Sequence, residues 1–169
     1  VAPAPEQLIP GSFASASLLA RICTGKFADH QPLYRQEQIF ARENIILSRK
    51  TMCGWVWRTA NWLRIIYEQL RLELRSAGYL QVDETPIGFL SPGSGKTKTG
   101  YLWVYHAPGK GVLFEWRASR AADCLADMLG DFDGTIQTDG YAAYESYNGT
   151  RPDGRKLKLG NCWAHARRG

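Results

Sequence analysis

Two aspartates occupy positions where a carboxylate can do chemistry. Asp83 closes the strand-like run Tyr79–Glu84, in Val82-Asp83-Glu84-Thr85-Pro86, and Asp139 follows the apolar run Gly134–Thr138, in Gln137-Thr138-Asp139-Gly140-Tyr141. If the three strands before Asp139 form an antiparallel meander, its own strand can cross back through a helix and lie parallel to the first. Both carboxylates then project from one edge of adjacent strands. Held that close they repel each other and raise a pKa, unless a cation sits between them. Oxygen-only ligands suit Mg2+ or Mn2+, and such ions can activate water and stabilise a leaving phosphate oxygen. Each aspartate alone also fits a turn, Asp83 before Pro86 and Asp139 in an Asp-Gly pair. The matching strand-end positions favour a shared site.

Other chemical signals are weaker. Gly93-Ser94-Gly95-Lys96-Thr97 resembles the end of a phosphate loop, but Leu90 stands where the first glycine belongs, and a strand rather than a helix follows. A nucleotide site is not expected. Lys96 and Lys98 on this Gly-rich loop read equally as contacts to a DNA backbone or as a solvated hairpin tip. Cys162-Trp163-Ala164-His165 has metal-like spacing without a second pair to complete a tetrahedron, so zinc is not expected. Residues 151–168 contain six Lys or Arg and one Asp, the most basic stretch of the chain. There His165, Arg167 and Arg168 are candidates to face phosphates. No Gly-x-Ser-x-Gly elbow occurs.

The elements that must position these residues change character at Tyr79. Residues 1–14 are Pro-rich at their start and read as a linker. From residue 15 to 78 the pattern is helical. Leu18, Leu19 and Ile22 mark one helix, and a second starts beside Pro32. A third, capped by Ser48, runs to Ser76 with Gly78 just past its end. Trp55, Trp62, Ile66, Leu70 and Leu74 predict its buried stripe. Residues 79–169 read as β-β-β-α-β-α-β: strands over Tyr79–Glu84, Tyr101–Ala107 and Val112–Arg117, a helix over Ala121–Leu129, a strand over Gly134–Thr138, a helix over Ala142–Tyr147, and a last strand-like run over Leu157–Ala164. The fold class is therefore mixed α/β after an all-helical segment.

Composition bounds the rest. The 169 residues carry 21 Lys+Arg against 16 Asp+Glu, a net charge of +5, which favours an anionic partner such as nucleic acid. No apolar run approaches the roughly 20 residues of a membrane helix. Cys23, Cys53, Cys124 and Cys162 form no Cys-x-x-Cys pair, which fits a reducing cytoplasm rather than a disulfide scaffold. The start, VAPAPEQLIPGSF, lacks an initiator Met and a signal-peptide pattern, so the chain is expected to be a fragment of a longer one.

VDETP, PGSGKTKTGYLWVY, TDGYAAY and CWAHARR, in that order, closely resemble transposases of the insertion sequence sixty-six family. The preceding KFADHQPLYRQEQIFARENIILSRKTMCGWV resembles the region before the catalytic domain in that family. The resemblance covers about Ser15 to Arg168. It implies a ribonuclease-H-like catalytic core, here truncated at its C-terminus, in which three acidic residues (the DDE arrangement) and divalent metal cut and join DNA. Asp83 matches the first catalytic and metal-binding aspartate and Asp139 the second. The third, a glutamate, is implied on a helix after the WAHARR motif, beyond residue 169. Glu84 points to the face opposite Asp83, and Glu145 lies too near Asp139 in sequence, so neither is assigned that role. The family's N-terminal zinc-binding segment is not expected within these residues.

Together these readings predict a bacterial, cytoplasmic, nucleoid-associated DNA transposase using Mg2+ or Mn2+. Its partners are double-stranded DNA, as transposon ends and target, and further copies of itself in the full-length protein, with no membrane involved. The isolated fragment is expected to be inactive and to leave an apolar sheet face uncovered. The alternative is a non-catalytic DNA-binding remnant. Tyr34–Arg42, a short loop and Ser48–Trp57 outline a possible helix-turn-helix, with Arg49 and Lys50 as further DNA contacts; a solvated helical face is the equal alternative.

Overall fold

The computed structural model describes residues 7–91 and 93–167, and the chain divides into two units, residues 1–65 and 66–169. In the first, helix α1 (Ala16–Phe27) starts at Ser15, whose Oγ accepts the Leu18 N–H at 3.2 Å. Helix α2 (Leu33–Arg42) begins after Pro32, whose fixed φ suits a helix start. Helix α3 (Arg49–Arg75) begins at Ser48, whose Oγ accepts the Thr51 N–H at 3.2 Å. Leu19 and Ile22 of α1, Phe40 of α2, and Met52 and Trp55 of α3 bury a common core. Ile9 and Ala14, within the stretch expected to be a linker, are buried in it as well. Gln36 ties α2 to the end of α1: its buried Nε2 donates to the carbonyls of Ile22 (3.2 Å) and Gln31 (3.0 Å).

The four-and-seven spacing along α3 misleads in the middle. Trp62 and Ile66, expected in the buried stripe, are 46% and 64% exposed. The helix serves two separate cores, one through Met52 and Trp55 and one through Tyr67, Leu70 and Leu74. Between those segments neither core reaches it, so periodicity alone overstates its burial.

The second unit is a five-stranded mixed sheet with helices. Strands β1 (Tyr79–Leu90), β2 (Thr97–Ala107) and β3 (Gly111–Arg117) form an antiparallel meander. A 3-10 turn (Ala122–Leu125) runs into the short α4 (Ala126–Leu129), where a single helix was expected. Then come β4 (Thr135–Thr138), α5 (Ala142–Thr150), β5 (Lys158–Asn161) and the one-turn α6 (Trp163–Ala166). The order across the sheet is β3-β2-β1-β4-β5, with β4 parallel to β1 and β5 parallel to β4. Leu74, Leu80, Trp103, Leu129, Ile136 and Tyr144 anchor the core on one face. On β3 the opposite face shows Val112, Phe114 and Trp116, each 42–53% exposed.

Two strand ends differ from expectation. β1 continues past Glu84 to Leu90, so Asp83 is not at its C-terminal end. Pro86 lies within this strand: beyond Gln81, β1 pairs with β2 and not with β4, and an edge tolerates a residue without N–H. The run Leu157–Ala164 is strand only as far as Asn161. The Cys162 N–H donates to the Thr138 carbonyl at 2.8 Å, where β4 ends, and with no further partner the chain turns into α6.

Two glycines fix the start of the sheet. Gly78 has φ +70, which ends the α3 segment and opens β1. Gly134 passes so close that a Cβ there would overlap the Gly78 carbonyl oxygen, which accepts the Thr135 N–H at 2.9 Å. Gly134→Ala is therefore expected to cost about 2–3 kcal/mol, the upper part of the overpacking range. Urea unfolding measures it, and a loss under about 0.5 kcal/mol, the size of a neutral surface change, would contradict this account.

Candidate functional site

β1 and β4 run side by side with Gln81 opposite Gln137. Two residues further along each chain come Asp83 and Asp139. The period-2 alternation of a strand puts Gln81 and Asp83 on one face of β1. Both aspartates, both glutamines, His106, Cys162 and His165 line a single cavity of about 290 Å3. β4 thus lies parallel beside β1 as inferred, although Asp83 sits within its strand rather than at the end, and both aspartates open on the same space. Asp139 is held by a local turn: its Oδ1 accepts the Tyr141 N–H at 2.8 Å, and Gly140 has φ +86. The Asp83 Oδ1 accepts the Glu84 N–H at 2.9 Å.

Beneath the aspartates a polar row crosses three strands. The Tyr79 hydroxyl donates to Gln137 Oε1 at 2.6 Å, and Gln81 Nε2 donates to the same oxygen at 3.0 Å. Gln81 Oε1 is then left as an acceptor, so the His106 Nδ1, 2.7 Å away, must carry the proton. Sequence reasoning missed this row, yet a signal existed. Both strands read Gln-x-Asp, Gln81-Val82-Asp83 and Gln137-Thr138-Asp139, which repeats one face chemistry on two neighbours.

On the other face of β1, Glu84 is buried and ion-paired. Arg120 contacts its Oε1 closely through both Nε and Nη2, and the Tyr144 hydroxyl donates to Oε2 at 2.6 Å. The same Arg120 Nη2 reaches Asp139 Oδ2 at 3.3 Å, and the guanidinium stacks 3.7 Å from the Tyr141 ring centroid. Burial, followed by the Glu84 hydrogen bond, pushes the Tyr144 hydroxyl far above the ordinary phenol range. Burial works against the charge on Arg120, but Glu84 outweighs it and holds the guanidinium above its ordinary value.

The expected DNA-contacting residues are dispersed. His165 lines the cavity, and its Nδ1 is buried without a partner among the described residues. Arg167 follows α6 and is exposed, while Arg168 lies outside the described residues. Lys96 and Lys98 are exposed at the far end of the β1–β2 hairpin. Lys98 lies opposite Phe89, six residues beyond Asp83 and therefore about 20 Å from it along the strand. In the first unit, Lys50 is exposed in the first turn of α3, and Arg49 pairs with Glu37 at 3.0 Å.

The donor set has a definite character. Two carboxylates on a shared cavity suit a hard, largely hydrated cation. Among the described residues no group of three or more His, Cys, Asp and Glu is placed to enclose a metal. Glu145 is exposed on α5 and does not line the cavity.

A model of the transposase IS66 family matches residues 11–169. The chain belongs to that family. It is 40% identical over 177 residues to the uncharacterized protein y4jD of Sinorhizobium fredii (strain NBRC 101917 / NGR234), covering 99% of this chain and 35% of that protein. It is 35% identical over 176 residues to y4qI from the same strain, covering 98% of this chain and 33% of that protein. The chain therefore spans about a third of the length of these relatives. No solved structure matches it. No helix among the described residues is long and apolar enough to cross a membrane.

Proposed function

We propose that residues 79–169 are the first part of a ribonuclease-H-like catalytic core for metal-dependent DNA strand cleavage and transfer, preceded by the helical segment 15–78. The observation that carries this reading is the placement of Asp83 and Asp139 beyond a matched register on neighbouring parallel strands, open to one cavity. The antiparallel meander followed by parallel strands reached through helices supports the fold assignment. Asp83 and Asp139 would hold Mg2+ or Mn2+, which, when bound, supplies positive charge to acidify water and stabilise the leaving oxygen. The turn at Gly140 keeps Asp139 directed by the Tyr141 N–H, and the Gln81–Gln137 row fills the floor beside the pair. His165, at the cavity wall, would then meet a phosphate.

Glu84 does not serve as the third acid, because its side chain is buried on the other face and committed to Arg120 and Tyr144. We place that acid beyond residue 169. Double-stranded DNA, as transposon ends and target, is the proposed partner, with self-association of the full-length protein and a cytoplasmic, nucleoid-associated location in a bacterium. The 169-residue chain is expected to bind Mn2+ through Asp83 and Asp139 without cleaving a labelled duplex. Cleavage that disappears in an Asp83→Ala control would show that a residue within the chain completes the site, and would make the reading of Glu145 wrong first.

The proposed DNA contacts are Lys96, Lys98, His165, Arg167 and Arg168, with Arg49 and Lys50 from the first unit. They address phosphates, so affinity for duplex DNA should fall steeply with salt. Replacing Lys96 and Lys98 by Gln should reduce the slope of log K against log[salt] by about 2, one for each phosphate no longer neutralised. An unchanged slope removes the hairpin from the interface.

A further inference from the structure

Asp83 and Glu84 are consecutive, and the strand sends one to the cavity and the other into the core. Arg120 connects the two faces, since the same Nη2 that meets Glu84 also reaches Asp139. Its hold on the two carboxylates is unequal. The Glu84 side chain is 0% exposed and has no water to turn to, so its charge requires the guanidinium. It engages both Nε and Nη2, while its second oxygen takes the Tyr144 hydroxyl. Asp139 receives one bond at 3.3 Å, longer than the roughly 2.7–2.9 Å of a strong charge-assisted bond. The guanidinium also lies 3.7 Å from the Tyr141 ring centroid.

We propose that Arg120, anchored by buried Glu84, is a positioning residue that sets how much of the Asp139 charge is available to a divalent cation in the cavity. This rests on the reading of Asp83 and Asp139 as a cation site. Glu84 keeps the guanidinium mostly to itself, so Asp139 is steadied without being neutralised. Two substitutions then act in opposite directions. With Glu84→Gln, the Tyr144 hydroxyl keeps an acceptor but Arg120 loses its anchoring charge and turns to Asp139, competing with the cation. With Arg120→Gln, the competing charge is gone, while the Tyr141 N–H still directs Asp139.

The test is a Mn2+ titration of the 169-residue chain, following free Mn2+ by electron paramagnetic resonance, with a thermal melt for every variant. Glu84→Gln is expected to weaken binding about fivefold and Arg120→Gln to tighten it about tenfold, the scale of one unit charge near a partly exposed site. Should Arg120→Gln fail to fold, the paired variant Glu84→Gln/Arg120→Gln carries the test. It removes the buried carboxylate together with the guanidinium, so Mn2+ should bind more tightly than to Glu84→Gln alone. A merely structural role moves both substitutions the same way. Shifts of one sign, or no shift in folded variants, overturn the proposal. Mn2+ binding by the unsubstituted chain that Asp83→Asn leaves unchanged overturns the cation site itself, so the two failures are distinguishable.

Discussion

In the full-length protein, Asp83→Asn and Asp139→Asn are each expected to reduce strand cleavage by roughly a thousandfold or more, about 4 kcal/mol of transition-state stabilisation. Asn matches Asp in size, and its Oδ1 can keep the bonds now accepted from the Glu84 and Tyr141 N–H groups. Both folds should therefore survive. On the proposed reading each substitution removes an anionic ligand, and with it the cation's hold on the phosphate. DNA binding should persist on that reading, because a negative charge is taken away from the proposed phosphate-facing surface. A gel assay with a labelled transposon end reads both properties. Cleavage in Mg2+ that survives either substitution would show that the wrong carboxylates have been assigned, and failure to bind DNA would mean the aspartates shape the surface rather than the chemistry.

The part of this site that follows local rules was legible in the sequence. Strand alternation singled out Asp83 and Asp139, and the β-β-β-α-β order allowed the crossover that puts β4 parallel to β1. The caps at Ser15 and Ser48 and the left-handed Gly78 likewise depend on near neighbours; of these, Ser48 and Gly78 could be read in advance. The Arg120–Glu84 pair spans 36 residues and joins a loop to a strand, so no periodicity announces it. Nor does an alternating run reveal that β1 loses its β4 partner after Gln81 and can carry Pro86 as an edge. The same limit explains α3. Its apolar spacing shows which side chains share a helical face, but burial requires a surface to meet them, and at Trp62 and Ile66 neither core supplies one.

Arg151 provides the largest expected effect on stability, and it lies on the path that positions Asp139. Its side chain is 1% exposed at the end of α5. Nη2 donates to the carbonyls of Gly130 (3.2 Å) and Phe132 (3.0 Å) and pairs with Asp153 at 2.7 Å. These bonds hold the turn between α4 and β4, the strand that leads into Asp139. Arg151→Ala is expected to lower the unfolding free energy by about 3–5 kcal/mol, because it opens a cavity and leaves two inward-facing carbonyls without this donor. Arg151→Met fills the space without the donor and should recover part of that loss. The two variants thus separate packing from pairing. Acid sharpens the comparison. The Arg151 hydrogen bond holds the Asp153 carboxyl well below its usual range. A carboxylate depressed in the folded state stabilises above its unfolded pKa, and that stability is lost as pH falls through the folded value. Between neutral pH and about pH 4 the contribution is therefore present; below about pH 4 it declines. In Arg151→Met that decline should shrink, while the part sustained by the Arg155 N–H and Nε, which also donate to Asp153, remains. Urea titrations at pH 7 and pH 3 test both points. A loss under about 1 kcal/mol for Arg151→Ala, within the range of an ordinary substitution, or an acid response unchanged in Arg151→Met, would show that the turn before β4 is held by something other than Arg151.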